Sequence, residues 1–415
     1  MRKTVNLLLG CIMLAGIGAK NTVFCPKNID NNQISIESCL SENCVMAEKV
    51  MKKTQSPLPI SAKSAYITDE SGRVEVYAKD AERRLPIASM CKIMTLILTF
   101  EAIEEGKFSY DDLIPVSERA ASMGGSQVFL EANAKYSASD LIKSIVVCSA
   151  NDSCVALAEK ISGSEETFTA EMNEKAKQLG ANNTLFANCT GLPKEPQYSC
   201  AKDVAIMLKE LVSHKKYFEY GNVWMDKFQH PEGRYTEISN TNKLIRYYDG
   251  CDGGKTGFTS QAGFCLAATA CRDGMRVIAV VIGEENSKTR FADVRKMFDY
   301  TFANYTQTTV VDDVNPLEKP AYVNGGKQKT ATLRAERCVK IFSRRNEMQN
   351  ITTELNVNER IAAPLKKGAK VGEITVYKDG VMIDRVAILS NETVAKANLF
   401  DRFKDVSKNW TLRRK

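Results

Sequence analysis

The hydrophobic residues of this chain follow a helical period in some stretches and an alternating period in others, and the order of those stretches restricts the fold. Alternating stretches predict strands at 65–68, 74–78, 263–270 and 276–283. Helical spacing predicts helices at 93–100, 138–148, 152–161, 165–179, 201–212 and 290–301. Two hairpins that flank a group of helices, with a last helix behind them, predict an α+β domain. Its antiparallel sheet should be completed by both ends of the domain.

Local signals support these boundaries. Asp273-Gly274 is typical of a two-residue hairpin turn between the last two predicted strands. Ser137 has the spacing of a helix N-cap, because Asp140 follows three residues later. The run from Ile93 to Phe100 is apolar on nearly every side, which predicts a helix in the middle of a core rather than on its surface.

The pattern changes again after Thr308. Short alternating runs, separated by turn residues, predict a small all-β domain over residues 309–395 that follows the α+β domain at 61–308. Lys378-Asp379-Gly380 predicts the turn of one of its hairpins. The predicted strands are 330–333, 339–342, 351–355, 371–377 and 381–389.

Both ends of the chain are basic, whereas the body between them is close to neutral. Arg2 and Lys3 precede an apolar run that ends near residue 19, so we interpret residues 1–19 as a signal peptide and residues 20–60 as a poorly ordered leader. The formal net charge of +7 arises mainly from these basic residues and from a basic tail over 396–415. A nucleic-acid partner is not expected, since basic residues would then form a stripe on the fold.

The tail has the pattern of a basic amphipathic helix. Leu399, Phe403, Val406 and Trp410 recur at helical spacing among lysines and arginines. Such a helix can lie in the headgroup region of an anionic membrane. Docking of the same helix on the small β domain is the alternative.

Thirteen cysteines are present, but none forms a Cys-x-x-Cys pair and their spacing fits no metal site. An exported protein could use them in disulfides, and free buried thiols are equally compatible with the sequence. We expect no metal and no cofactor.

Only two histidines are available, His214 and His230, so a Ser-His-Asp triad or a multi-histidine metal site is hard to build. Ser89-Met90-Cys91-Lys92 offers another base. Residues three apart share one face of a helix, so the Lys92 amine can reach the Ser89 hydroxyl. A neutral amine can activate a serine, provided that burial and a second cation lower its pKa. Cys91 points away from Ser89 and is interpreted as part of the core.

Two further motifs follow in a specific order. Ser149-Ala150-Asn151 lies at a junction between two predicted helices, and Lys255-Thr256-Gly257 leads into a predicted strand. Each motif alone is weak, since Ser213-His214-Lys215-Lys216 also fits the Ser-x-x-Lys pattern. The ordered trio is the signature of the penicillin-recognising serine enzymes.

The chain resembles the low-molecular-mass penicillin-binding proteins that act as serine D-alanyl-D-alanine carboxypeptidases. The resemblance is carried by residues 84–95, 149–158 and 252–259, and in the small β domain by 364–368 and 371–374. It covers roughly residues 60–412. It implies a β-lactamase/transpeptidase-like domain, an antiparallel sheet flanked by helices, followed by the small all-β domain.

The resemblance also implies the catalytic roles. Ser89 attacks the carbonyl between the two terminal D-alanines of a peptidoglycan stem and forms an acyl-enzyme. Lys92 is the general base, although the proton acceptor is disputed among these enzymes. Ser149 and Asn151 relay protons and hold the substrate amide, and Lys255 supports this network electrostatically.

The substrate-binding set implied by the resemblance lies mainly on the predicted strand. Thr256 and Arg290 bind the terminal carboxylate, and the backbone N–H groups of the nucleophile and of Phe258 form the oxyanion hole. Gly257 and Thr259 complete the set. Some family members have histidine at the position of Phe258. Any role that this imidazole plays in them is lost in the present chain. A solvated position at the start of its helix is the alternative for Arg290.

The implied partners are peptidoglycan stem peptides and, as covalent inhibitors, β-lactam antibiotics. The implied location is outside the cytoplasm, on the outer face of the cytoplasmic membrane. A class A β-lactamase is excluded because the Glu-Leu-Asn sequence, at 354–356, lies after the Lys-Thr-Gly motif. A D,D-endopeptidase acting on crosslinked peptidoglycan and a catalytically weak penicillin-binding scaffold remain as alternatives.

Overall fold

The computed structural model describes residues 58–346, 350–358 and 360–401. The expected signal peptide, nearly all of the expected leader and the greater part of the basic tail lie outside the described residues. Nine of the thirteen cysteines are described, and all nine are free thiols. Within the described ranges, no helix is both long enough and apolar enough to span a bilayer.

The first domain combines helices with a mainly antiparallel set of strands. Its strands are β1 (Ser64–Asp69), β2 (Glu75–Lys79), β3 (Leu113–Pro115), β4 (Lys135–Ser137), β5 (Met225–Gln229), β6 (Tyr235–Ser239), β7 (Cys251–Thr259), β8 (Gly263–Arg272) and β9 (Met275–Glu284). Its helices are α1 (Lys92–Glu104), α2 (Glu118–Ala121), α3 (Ala138–Cys148), α4 (Asn151–Ser162), α5 (Glu165–Gln178), α6 (Ala201–Ser213), α7 (Tyr217–Gly221), α8 (Leu244–Tyr247) and α9 (Ser287–Asn304).

The central sheet has the order β2-β1-β9-β8-β7, and every pair in it is antiparallel. Strand β1, from the start of the domain, pairs with β9 near its end, with Ser64 opposite Ile282. The turn between β8 and β9 uses Asp273 at φ 50° and Gly274 at φ 75°, which matches the hairpin geometry predicted from these two residues. The predicted α+β class, with a sheet completed by both ends of the domain, is confirmed.

Alternate residues of β9 serve two different cores. Ile278, Val280 and Ile282 belong to the core that contains most of the helices, whereas Val277 and Val281 pack with α9 on the other face. Successive side chains of a strand point to opposite faces, so a strand buried on both sides is apolar throughout. Helix α1 lies inside the larger core, as its apolar sequence predicted, and its first residue is Lys92.

The second domain is all-β and has its own core. Its strands are β10 (Tyr305–Val311), β11 (Ala321–Asn324), β12 (Thr330–Ala331), β13 (Leu333–Ala335), β14 (Val339–Arg344), β15 (Ile351–Val357), β16 (Ile361–Ala362), β17 (Lys370–Lys378) and β18 (Val381–Ser390). They form sheets ordered β13-β18-β17-β15, β12-β11-β16 and β10-β14. Strand β10 follows α9 directly, spans the expected boundary between residues 308 and 309, and pairs with β14.

Candidate active site

Ser89, the predicted nucleophile, lies in a short 3-10 turn, Ala88–Cys91, that leads directly into α1 and is called the nucleophile turn below. We expected Ser89 in the first turn of the helix itself. The tighter turn has three residues per turn, so side chains at positions i and i+3 lie directly above one another. The Ser89 hydroxyl and the Lys92 amine accordingly lie 3.0 Å apart, within hydrogen-bond distance.

The Lys92 amine is buried in an environment that disfavours its charge. Its side chain is fully buried, and its Nζ also donates to the backbone carbonyl of Thr190. Burial lowers the pKa of Lys92 below that of an ordinary lysine. A lysine in this state can become neutral more readily than an exposed one, as a general base requires.

Cys91 lies beside this pair without competing for the nucleophile's role. Its side chain is fully buried, and its Sγ donates to the carbonyl of Asn188 at 3.2 Å. Burial raises the pKa of the Cys91 thiol far above its usual range, so it carries no thiolate near neutral pH.

Ser149 and Asn151 lie where α3 ends and α4 begins. Ser149 closes α3 in the left-handed region at φ 68°, and Asn151 is the first residue of α4. The Asn151 side-chain amide donates to the carbonyl of Gly124 at 2.7 Å. The Ser149 Oγ and the Asn151 Oδ1 are buried and have no hydrogen-bond partner among the described residues. Such unpaired groups are costly unless a ligand uses them.

Lys255 is the second buried amine. It lies on β7 at 2% exposure, and its Nζ donates to the carbonyl of Thr256 at 3.2 Å. Burial, followed by the positive charge of Lys92, lowers the pKa of Lys255 to about 7. A positive charge nearby disfavours a second positive charge, which is why Lys92 lowers the pKa of Lys255. The structure therefore joins the first and third motifs electrostatically.

Gly257 allows β7 to pass directly beside the nucleophile turn. A Cβ atom at this position would lie 2.5 Å from the carbonyl oxygen of Ile87 and 3.3 Å from the backbone nitrogen of Met90. The following Phe258 side chain is 54% exposed and packs against Phe264 in a tilted arrangement, with ring centroids 4.3 Å apart. The part of β7 that approaches the turn is therefore the backbone at Gly257.

The remaining predicted binding residues lie along the same strand or behind it. Thr256 donates from Oγ1 to Oγ1 of Thr241 at 2.8 Å, and the Thr259 Oγ1 accepts the backbone N–H of Ala262 at 3.0 Å. Arg290 is buried and donates to the carbonyls of Gly257 and Cys265 at 3.3 and 3.2 Å. Burial lowers the pKa of Arg290 to about 10. A solvated surface position for Arg290 is therefore wrong.

A cleft of about 470 Å³ adjoins the nucleophile turn. Its walls come from residues 84–88, from the loop 191–198 and from the end of β7 at Thr259. Of the predicted site residues, Thr259 lines this cleft, whereas the side chains of Ser89, Lys92 and Lys255 lie outside its lining. The cleft therefore borders the predicted site through Ala88 and Thr259 and does not contain the serine–lysine pair.

Some neighbours of the site were not predicted. Thr190 supplies a backbone carbonyl to Lys92, and Thr241 supports Thr256. Gly191 has φ +80°, and a Cβ atom there would lie 2.1 Å from the carbonyl oxygen of Ala88. Its glycine identity was the one usable signal, because only a residue without a side chain fits so close to another backbone.

Comparison with known proteins identifies the family. Residues 51–286 match the family model described as D-alanyl-D-alanine carboxypeptidase. The chain belongs to the D-alanyl-D-alanine carboxypeptidase family. Residues 305–396 match the C-terminal domain of penicillin-binding protein 5, so the small all-β domain is confirmed as well.

Individual members of this carboxypeptidase family agree with that assignment. The D-alanyl-D-alanine carboxypeptidase DacF of Bacillus subtilis (strain 168) is 39% identical over 360 residues, which are 86% of this chain and 92% of the relative. Penicillin-binding protein 5 from Haemophilus influenzae has a similar structure, with a TM-score of 0.65, 28% identity, and coverage of 82% of this chain and 99% of that one. PBP3 from Streptococcus pneumoniae also has a similar structure, with a TM-score of 0.67 and 26% identity. The match covers 81% of this chain and 99% of that one.

The predicted activity is confirmed at the level of the family. The protein is a serine-type D-alanyl-D-alanine carboxypeptidase, a hydrolase of peptidoglycan metabolism.

The two buried amines predict a pH-dependent acylation. Burial lowers the pKa of Lys92, and burial together with the positive charge of Lys92 lowers the pKa of Lys255 to about 7. The pair of amines therefore loses a proton as the pH rises through about 7 and gains a neutral amine that can act as a base. We expect the rate constant for acylation by a fluorescent penicillin to rise as the pH increases through about 7. Stopped reactions between about pH 5 and pH 9 would measure it, with circular dichroism as a control for unfolding. A rate that is independent of pH in this range contradicts the prediction.

Proposed function

We propose that Ser89 is the nucleophile that removes the terminal D-alanine from peptidoglycan pentapeptide stems, with Lys92 as its base. The observation that carries this proposal is the 3.0 Å distance between the Oγ of Ser89, which is half-buried, and the Nζ of the fully buried Lys92. Serine attack on an amide needs a proton acceptor at this distance, and an amine with a lowered pKa provides it.

The proposed reaction balances in two steps. The Ser89 proton passes to Lys92 while its oxygen adds to the carbonyl carbon between the two D-alanines. The carbon–nitrogen bond then breaks, and the proton returns through Ser149 to the departing amine. In the second step a water molecule gives a proton to Lys92 and adds to the ester carbonyl carbon. The ester carbon–oxygen bond then breaks, the proton returns to the Ser89 oxygen, and the shortened stem leaves with a new carboxyl group. The unpaired Ser149 Oγ and Asn151 Oδ1 favour the first step, since one can relay the proton and the other can accept the substrate amide.

Charge and backbone groups would stabilise the transition state and the terminal carboxylate. We assign the oxyanion to the backbone N–H groups of Ser89 and Phe258, because Gly257 holds the strand against the nucleophile turn. Thr256, Thr259 and the charge of Lys255 would face the carboxylate. Arg290 would help to position this carboxylate site, since its guanidinium donates a hydrogen bond to the carbonyl of Gly257 on β7.

A direct test is release of D-alanine from diacetyl-Lys-D-Ala-D-Ala, combined with labelling by fluorescent penicillin. We expect D-alanine release and a covalent adduct whose proteolytic fragment contains Ser89. A crosslinked peptidoglycan dimer serves as the comparison substrate, because a D,D-endopeptidase would use the same residues. An adduct on any other residue, or cleavage of the dimer alone, contradicts the assignment.

We further propose that the enzyme is exported and attached to the outer face of the cytoplasmic membrane. The N-terminal apolar run at 5–17 and the basic amphipathic tail at 396–415 support this location. A flotation assay with anionic liposomes should recover the full chain but not a chain that ends at Ala395. Equal recovery of both proteins contradicts the role of the tail and favours its docking on the β domain.

A further inference from the structure

Acidic residues and a histidine converge where the C-terminal end of α1 meets the C-terminal end of α6. Glu101 and Glu104 are three residues apart on α1, and Glu210 and His214 are four apart at the end of α6. Residues at these spacings share one face of a helix. One potential ligand atom from each of Glu101, Glu210 and His214 lies within 4.8 Å of the other two.

The imidazole of His214 is fixed in a particular orientation. The side chain is 7% exposed, and its ring stacks on Phe100 with centroids 5.5 Å apart and planes at 19°. Its Nδ1 lies 2.8 Å from the Oε1 of Glu104. Its Nε2 is buried and has no hydrogen-bond partner among the described residues. With Nδ1–H donating to Glu104, the lone pair of Nε2 remains available to a cation.

The surrounding charges also favour a cation. Glu101 forms an ion pair with Lys175, which is the one salt-bridge partner of that carboxylate in the described part of the chain. The carboxylates of Glu101, Glu104 and Glu210 thus lie around the imidazole of His214, and Glu101 is the one of the three that pairs with an ammonium group among the described residues. This arrangement leaves carboxylate charge that a bound cation could neutralise.

We propose that His214 Nε2 and the carboxylates of Glu101 and Glu210 form a binding site for a divalent transition-metal ion, with Zn²⁺ as the probe. One imidazole and two carboxylates are ligands that zinc accepts, and water would complete a four-coordinate site. Glu104 orients the histidine from outside the coordination sphere, in the carboxylate–histidine–metal arrangement that recurs in such sites. This proposal departs from the expectation of no metal, which rested on the cysteine spacing and on the lack of enough histidines for a multi-histidine site.

The metal would act on stability rather than on the chemistry. It would join α1, which begins at Lys92, to α6. Glu101 follows Lys92 by nine residues, or about 13 Å along a helix, so the ion is too distant to touch the reacting atoms. Binding to the folded chain alone raises the unfolding temperature. This inference does not depend on the proposed catalytic roles.

The binding of Zn²⁺ can be tested by NMR, through the ¹⁵N resonances of the two histidine rings. The full chain, labelled with ¹⁵N only in histidine and treated with a chelator, is titrated with Zn²⁺ while the ring resonances and the thermal unfolding midpoint are recorded. Because the chain has two histidines, the ring signals can be assigned with His214→Asn and His230→Gln. We expect Zn²⁺ to shift the His214 signals, leave those of His230 unchanged and raise the midpoint.

Matched variants separate this site from binding to thiols. His214→Asn keeps a donor for Glu104 but removes Nε2, and Glu210→Gln keeps shape but removes charge. We expect each to raise the Kd for Zn²⁺ by about tenfold or more. The control His230→Gln should bind as the wild type does, since the His230 nitrogens already have partners in Tyr136 and Thr236. Penicillin labelling confirms that each variant is folded.

Three outcomes overturn the proposal. The first is the absence of any Zn²⁺-dependent shift at His214. The second is an affinity that is unchanged in both ligand variants, which would place the ion on cysteine thiols. The third is a His214 ring that takes up a proton but no metal, so that an imidazolium alone balances the carboxylates.

Discussion

Replacing Lys92 by methionine is expected to lower kcat/KM for D-alanine release by about 10³-fold or more, since the serine then loses its proton acceptor. Methionine fills a similar volume in the buried position, so the change removes the amine rather than the packing. Ser89→Ala should have a comparable effect, and the double variant should be no worse, because nucleophile and base act as one unit. Steady-state kinetics on diacetyl-Lys-D-Ala-D-Ala and penicillin acylation rates would measure these effects.

A second substitution distinguishes a base from a fixed charge. Lys92→Arg keeps a positive charge at this position, but the guanidinium does not lose its proton at accessible pH and cannot act as a base. If Lys92 accepts the serine proton, the arginine variant should be as inactive as the methionine variant. Substantial acylation by the arginine variant would mean that Lys92 acts only through its charge, and Lys255 would then be the base.

The parts of the fold that could be predicted from the sequence are those whose hydrophobic residues form a long apolar run or recur at the spacing of a strand or a helix. Strand β9 and helix α1 are buried on all sides, and their sequences predicted them. The hairpin of β5 and β6 was missed because only Phe228 and Ile238 are buried in it, which leaves no alternation to detect. Strand β10 was missed for a similar reason, since its buried residues are Tyr305 and Val311 at its two ends.

Predictability of the site follows from how local each contact is. Ser89 and Lys92 are three residues apart, so helical geometry alone places them together. The Thr190 carbonyl that accepts a hydrogen bond from Lys92 is 98 residues away, and a backbone carbonyl has no sequence signature. Arg290 was placed in the site by resemblance, but its contacts to backbone carbonyls of β7 and β8 required the structure.

A single methyl group at Gly257 should test whether the approach of β7 to the nucleophile turn is needed for catalysis. Gly257→Ala would place a Cβ atom 2.5 Å from the carbonyl oxygen of Ile87, so strand and turn must separate. Phe258 follows directly, and its backbone N–H would move away from the developing oxyanion. Loss of one such donor lowers kcat by about 10²-fold or more. We expect this loss in kcat, with a smaller change in KM.

The control adds the same methyl group where space is available. Gly124→Ala meets no atom within 4 Å and has no left-handed φ, and its carbonyl can still accept from Asn151. We expect Gly124→Ala to retain nearly wild-type kcat, while thermal unfolding shows that both variants fold. A Gly257→Ala enzyme with wild-type kcat would mean that β7 supplies no oxyanion donor, because the added Cβ atom cannot lie 2.5 Å from the carbonyl oxygen of Ile87 unless the strand and the turn separate. The oxyanion would then have to be stabilised by the nucleophile turn alone.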